Sequence, residues 1–234
     1  MKGRSPVLGR LIKVSAVVLG AGLVVTGCSP VKMGAAAIVG NQRITIATLD
    51  TQVTNLSQAA KQYPGTVQLS PAQETQETLT WLVRFQINEQ LARQAGITVS
   101  TAQAEAALAQ IYAVAKSQAQ AQGLSNVTLN LILAANGIPP DMAAELGRYQ
   151  AIQDQFVLRA NGGKIPTTTS AQAATTAKLQ RAQCVAAKTL QIEINPQFGQ
   201  LNYTQYQVVS APSMVSRPPG PAKPASASGL MPAC

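Results

Sequence analysis

Two pairs of carboxylates stand at helical spacing in this chain, Glu74/Glu77 and Asp141/Glu145, so each pair would share one face of a helix. In an enzyme such a pair could serve as acid and base. Both, however, fall directly after helix-start signals, where acidic residues complement the positive end of the helix dipole. The other reactive side chains are three cysteines, Cys28, Cys184 and Cys234. Arg181 and Lys188 flank Cys184 and would favour a thiolate, but a packed or disulfide-bonded cysteine fits that apolar setting better. The chain contains no histidine, which removes histidine-based triads, the usual histidine metal sites and the commonest general acid/base. Glycine-rich phosphate loops, metal-ligand spacings and a Gly-x-Ser-x-Gly elbow are also missing from the sequence. The expectation is a binding protein rather than an enzyme, with no cofactor and no metal.

Cys28 stands apart from the other two cysteines. It follows a basic start (Lys2, Arg4, Arg10, Lys13), an apolar run from Val14 to Val25, and Thr26-Gly27. A positive segment, a short apolar segment and small residues at a cut point describe a secretory signal, and the run is shorter than the roughly 20 residues of a spanning helix. Val24-Val25-Thr26-Gly27-Cys28 resembles the lipobox of bacterial lipoproteins. That resemblance implies cleavage before Cys28, acylation of its thiol, and attachment to the outer face of the bacterial cytoplasmic membrane. Residues 1–27 would then be the signal peptide and 28–34 a short tether. Outside the cytoplasm, where disulfides persist, Cys184 and Cys234 are either two free thiols or a bridge. A bridge would close a loop of about 50 residues, worth ~4 kcal/mol in the chain-entropy model.

Removing residues 1–27 leaves 207 of the 234 residues, enough for one sizeable domain. Net charge falls from +9 to +5, because the signal carries four basic residues and no acid. No Lys/Arg stripe remains to track phosphates, so nucleic acid is excluded as a partner. Few aromatics with abundant Ala, Gln and Thr point to long helices. Ala35–Val39, Gly40-Asn41 and Arg43–Thr45 read as strand, turn and strand. Ile46–Tyr63 carries apolar residues at helical spacing. Ser70-Pro71-Ala72-Gln73 combines a serine cap, proline at the first helical position and a capping-box glutamine, opening a helix to Ala95. On it Leu79, Val83, Ile87 and Leu91 trace one apolar arc, and Trp81, Phe85 and Ala92 a second, so it must be covered on two sides. Further helices are expected from Ser100, over 126–136, from Pro139, and over 170–188. Leu190–Ile194 alternates like a strand and is expected to pair with Ala36–Val39. The ordered domain spans 35–202, and 203–234 reads as a largely disordered Pro/Ser/Ala-rich tail.

This order resembles the N-terminal chaperone domain of the SurA/PrsA class of extracytoplasmic folding factors. The resemblance rests on Ala36–Thr45, on Leu79–Ala92 with Ala95–Ser100, on Ala134–Pro140, and on Ile194–Gly199. It implies a mainly α fold: a SurA N-terminal or trigger-factor-like multi-helix peptide-binding domain with a small sheet of N- and C-terminal strands. Longer members insert a parvulin-type prolyl isomerase where this chain has only Arg159–Ser170, and the histidines typical of that catalyst are missing. The resemblance therefore implies a lipid-anchored holdase for unfolded exported polypeptides, working without ATP. Trp81, Phe85, Met142, Tyr149 and Phe156 are the candidate peptide-binding groove, with plain core packing as the alternative for each. The competing functions are a residual or accessory isomerase-family protein and a cell-envelope lipoprotein with one dedicated partner.

Overall fold

A computed structural model describes residues 33–65, 67–203 and 206–210. The signal segment, Cys28 and Cys234 lie outside these residues, as does the tail from 211 onward.

The domain is built around one helix and closed by one sheet. Strand β1 (Ala35–Val39) is short, apolar and almost wholly buried. β2 (Gln42–Thr45) returns antiparallel to it, with an irregularity between Ala35 and Ala37. Gly40 sits in the turn at φ 57°, and a Cβ there would collide with the side chain of Gln90. Gln90 uses that space to donate from Nε2 to the Val39 carbonyl. Thr45 caps helix α1 (Ile46–Gln62), its hydroxyl accepting from the Thr48 amide at 3.0 Å.

Helix α2 (Pro71–Gln94) is the long central element, about 36 Å at 1.5 Å per residue. Its start is the expected capping box: the Gln73 amide donates to Ser70 Oγ and the Ser70 amide to Gln73 Oε1. Leu79, Val83, Ile87 and Leu91 pack with Ala36, Ala37 and Val39 of β1, while Phe85 and Ala92 belong to two further apolar clusters. Both arcs of this helix are thus covered. α3 (Thr101–Ala121) opens on a second capping box, Ser100/Gln103. α4 (Leu129–Ala135) is shorter than the sequence suggested. Asn126 turns back at φ 58° and Thr128 supplies the cap, so the helix begins only after it. Pro140–Met142 forms a single 3-10 turn before α5 (Ala143–Ala160).

α5 lies against α3 at Gly147, where an added Cβ would come 2.5 Å from the Ala104 carbonyl oxygen and 3.0 Å from Leu108 Cβ. α6 (Thr169–Thr189) then leads into β3 (Ile192–Ile194). β3 pairs antiparallel with β1, Ala37 opposite Ile194 and Val39 opposite Ile192, giving the order β2-β1-β3. The expected closure of the domain by N- and C-terminal strands is therefore present. The strand itself begins at Ile192: the chain bends at Leu190, which is a buried member of the main cluster, and the Gln191 carbonyl accepts from the Gly40 amide of the β1–β2 turn at 2.8 Å.

The expected domain end at residue 202 is too early. β4 (Gln200–Asn202) and β5 (Gln207–Val209) form an antiparallel hairpin, and Val208 is 4 % exposed inside the main cluster. Three-residue strands are too short for alternation to reveal, and the groups that hold β5 belong to α2.

Candidate peptide-binding surface

Of the five aromatic and sulfur side chains expected to line a groove, Trp81, Phe85, Met142 and Tyr149 share one cluster, and the three rings meet one another. The Trp81 ring lies 5.6 Å from Phe85 and 6.1 Å, edge-on, from Tyr149, and Phe85 lies 5.7 Å from Tyr149. These separations fall in the range of favourable tilted and edge-to-face pairs. Trp81 and Phe85 meet because they are one helical turn apart on α2; Tyr149 arrives from α5. The Arg84 guanidinium covers the Trp81 ring at 5.0 Å, and Trp81 Nε1 donates to the Asn136 carbonyl at 3.2 Å.

Exposure separates the members of the set. Phe85 at 7 % and Met142 at 3 % are core, closed in with Leu133, Ile138 and Leu146. Trp81 and Tyr149 are half-buried and present part of each ring at the rim. Phe156 is half-buried elsewhere, between the main cluster and the one containing Ala92 and Ile97, and does not join the trio. Burial pushes the Tyr149 phenol above its ordinary range, with Arg84 opposing, so it stays a neutral hydrogen-bonding group.

One member of each carboxylate pair serves the fold. Asp141 accepts from Asn55 Nδ2 at 2.6 Å, joining α1 to the start of α5, and Glu74 is buried in the first turn of α2. Glu89 grips Arg148 through both carboxylate oxygens, and Arg148 Nη1 donates to the Val99 carbonyl at 3.0 Å. Among the described residues no group of three or more His, Cys, Asp or Glu could hold a metal ion. Cys184 is buried and disulfide-bonded, its partner lying outside the described residues.

Two features were missed by the sequence reading. One is an open groove of about 320 Å³ between α3 and α5, lined by Ala107, Ile111, Val114 and Gln118 on one side and Gln150 and Asp154 on the other. Val114 is 52 % exposed there; its place in the α3 pattern was the signal available. The other is a relay of amides. Gln183 of α6 donates to Gln153 of α5 at 2.8 Å, Gln153 to Asn88 of α2 at 2.6 Å, and Asn88 to the Tyr149 carbonyl at 3.2 Å.

A long central helix flanked by shorter ones and closed by a small sheet from both ends of the domain is a mainly α architecture of the SurA N-terminal kind. The chain belongs to the family of the SurA-like N-terminal domain, whose description matches residues 7–157. The match ends within α5, so α6 and the strands after it lie beyond it. No curated protein and no solved structure matches the chain.

Proposed function

We propose that this protein is a holdase: a lipid-anchored, extracytoplasmic chaperone that binds unfolded exported polypeptides and releases them without ATP. Membership of the SurA-like N-terminal domain family over residues 7–157 carries this reading. The half-buried Trp81 and Tyr149 support it, since apolar, partly filled surfaces suit clients of varied sequence, and the open groove beside α3 adds a mixed surface in which Ala107, Ile111 and Val114 alternate with glutamines and Asp154. In this reading the peptide-binding core works without an isomerase. Cys28 carries the lipid and holds the domain at the outer face of the cytoplasmic membrane. The tether from Ser29 to Gly34 spans at most about 20 Å, so clients would be met close to the bilayer. Among the described residues no helix is long and apolar enough to cross a membrane.

The test is suppression of aggregation of a chemically denatured client on dilution, without nucleotide. Suppression at near-stoichiometric chaperone is expected, and no effect at several-fold excess would refute the holdase reading. Trp81 is the sole tryptophan, so client binding at the rim should shift its emission. Attachment is tested separately by incorporation of a labelled fatty acid, which Cys28→Ala should abolish.

A further inference from the structure

Strand β5 is held to the domain in an unusual way. Its neighbour in the sheet is β4, and its other edge is met by side chains of a helix. Three α2 residues at four-residue intervals reach it: Gln76 Nε2 donates to Ser210 Oγ at 2.8 Å, Thr80 Oγ1 accepts from the Val208 amide at 2.9 Å, and Arg84 Nε donates to the Tyr206 carbonyl at 2.9 Å. The pairing runs antiparallel, 76 to 210, 80 to 208 and 84 to 206. The spacing explains how this is possible. Four residues advance about 6 Å along a helix and two residues about 6.6 Å along a strand, so the contacts stay in step over three repeats.

Two of these bonds address main-chain atoms. A hydroxyl that takes an N–H and a guanidinium that gives to a C=O do not read the side chains of the strand they hold. The side-chain requirement rests mainly on Val208, buried beside Leu79 and Val83 in the main cluster, with Tyr206 packed at its margin and the Ser210 hydroxyl held by Gln76. The occupant also fits imperfectly: the Tyr206 hydroxyl is buried with no hydrogen-bond partner among the described residues. A two-stranded hairpin is marginal by itself, so the hold of β5 depends on this cradle.

Resting on the chaperone reading, we infer that the Gln76–Thr80–Arg84 cradle is a recognition site for extended polypeptide, and that β5 is its resident occupant. A client segment that turns at the place of Tyr206, which has φ 49°, and runs extended over the places of Gln207–Val209, with a β-branched aliphatic residue at that of Val208, displaces Tyr206–Ser210 and takes over its main-chain bonds. Arg84 also covers the Trp81 ring, so the cradle is continuous with the aromatic rim.

The test uses the full chain in detergent and a fluorescein-labelled synthetic copy of Tyr206–Ser210, with a scrambled copy as control. Wild-type protein should bind the copy weakly, because most cradles are filled. Val208→Asp expels the occupant without touching the cradle, and Val208→Thr loosens it with shape retained. Apparent affinity should rise about tenfold or more as the competent fraction grows. Adding Thr80→Val to either should return binding to the level of the scrambled copy. If Val208→Asp loses its far-UV signal, Val208→Thr and hydrogen exchange of the wild type decide: saturating copy must speed exchange at the Val208 amide. No gain in affinity in a folded opened variant, or unchanged exchange at Val208, overturns the proposal. Suppressed client aggregation with β5 undisturbed would remove the cradle and leave the holdase. Displacement of β5 by the copy without any suppression would remove the holdase and leave the cradle.

Discussion

Replacing Gly147 by alanine sets two effects of opposite sign against each other. Gly147 lies inside α5, where glycine costs about 1 kcal/mol relative to alanine through its backbone freedom in the unfolded chain. On propensity alone Gly147→Ala should stabilise. The new methyl, however, would stand 2.5 Å from the Ala104 carbonyl oxygen and 3.0 Å from Leu108 Cβ. The first of these is backbone of α3 and cannot swing aside, so the two helices must separate. Overpacking of this kind typically costs 1–3 kcal/mol, and a backbone obstacle places it at about 3. The net expectation is a loss of ~2 kcal/mol, or ~4–8 °C in Tm for a domain of this size. Urea titration followed by far-UV circular dichroism should show a lower midpoint with an unchanged slope. Ala113→Gly, at an exposed position in the middle of α3, provides the scale: it should lose about 1 kcal/mol from propensity alone. Gly147→Ala as stable as wild type or more so would refute the claim that this crossing is set by a missing side chain. Since the α3–α5 groove lies along the same contact, the variant should also alter client affinity.

Tyr206 links stability to alkaline pH. Burial, reinforced by Tyr149, pushes its phenol up to about 12, above the value near 10 of an unfolded chain. The stabilisation is complete below pH 10 and is lost as pH rises toward 12, because the unfolded chain gives up its proton first. Discounted for solvent reaching a half-buried ring, the effect is roughly 1 kcal/mol. Tyr206→Phe should flatten the fall of Tm between pH 10 and 12, apart from the part due to Tyr149, and should cost little at pH 7. Ser70→Ala and Ser100→Ala should each lose about 1 kcal/mol by breaking a capping box, additively in the double variant, as urea midpoints would show. If Cys28 is acylated, as proposed, and the partner of the disulfide-bonded Cys184 is Cys234, the mature oxidised protein should contain no titratable thiol. Cys234→Ser should then expose one and cost up to ~4 kcal/mol, whereas a free Cys234 in the wild type would refute that pairing.

The elements that could be read from the sequence are those with a local cause. Ser-x-x-Gln at residues 70 and 100 announces both capping boxes, and the 4-3-3-4 stripe of Met142, Leu146, Tyr149, Ile152 and Phe156 announces α5. The two arcs of α2 likewise required cover on two sides, which β1 and the α4–α5 region provide. What escaped has a distant cause. Nothing near Gln207-Val208-Val209 signals that Thr80 and Arg84 will hold it. The amides of Asn88, Gln153 and Gln183 look like ordinary solvent-facing residues until three helices bring them together. The candidate groove was half legible for the same reason. Helical spacing put Trp81 beside Phe85, but only packing decides that Phe85 and Met142 are closed in while Phe156 belongs to another cluster.

The β2-β1-β3 sheet constrains the order in which this chain can fold. β1 is its middle strand and emerges almost first, yet its partner Ile192–Ile194 comes from the other end of the domain. Until that partner arrives, Ala37–Val39 has an open edge, and the apolar face against α2 lacks one wall. Loop closure over so long a separation is slow compared with local helix formation. In a chain that emerges amino end first, the walls supplied by β3 and then by Val208 of β5 arrive after all the helices, so sealing of the main cluster comes late. Pulse-labelled hydrogen exchange during refolding should protect the α2 amides before those of β1.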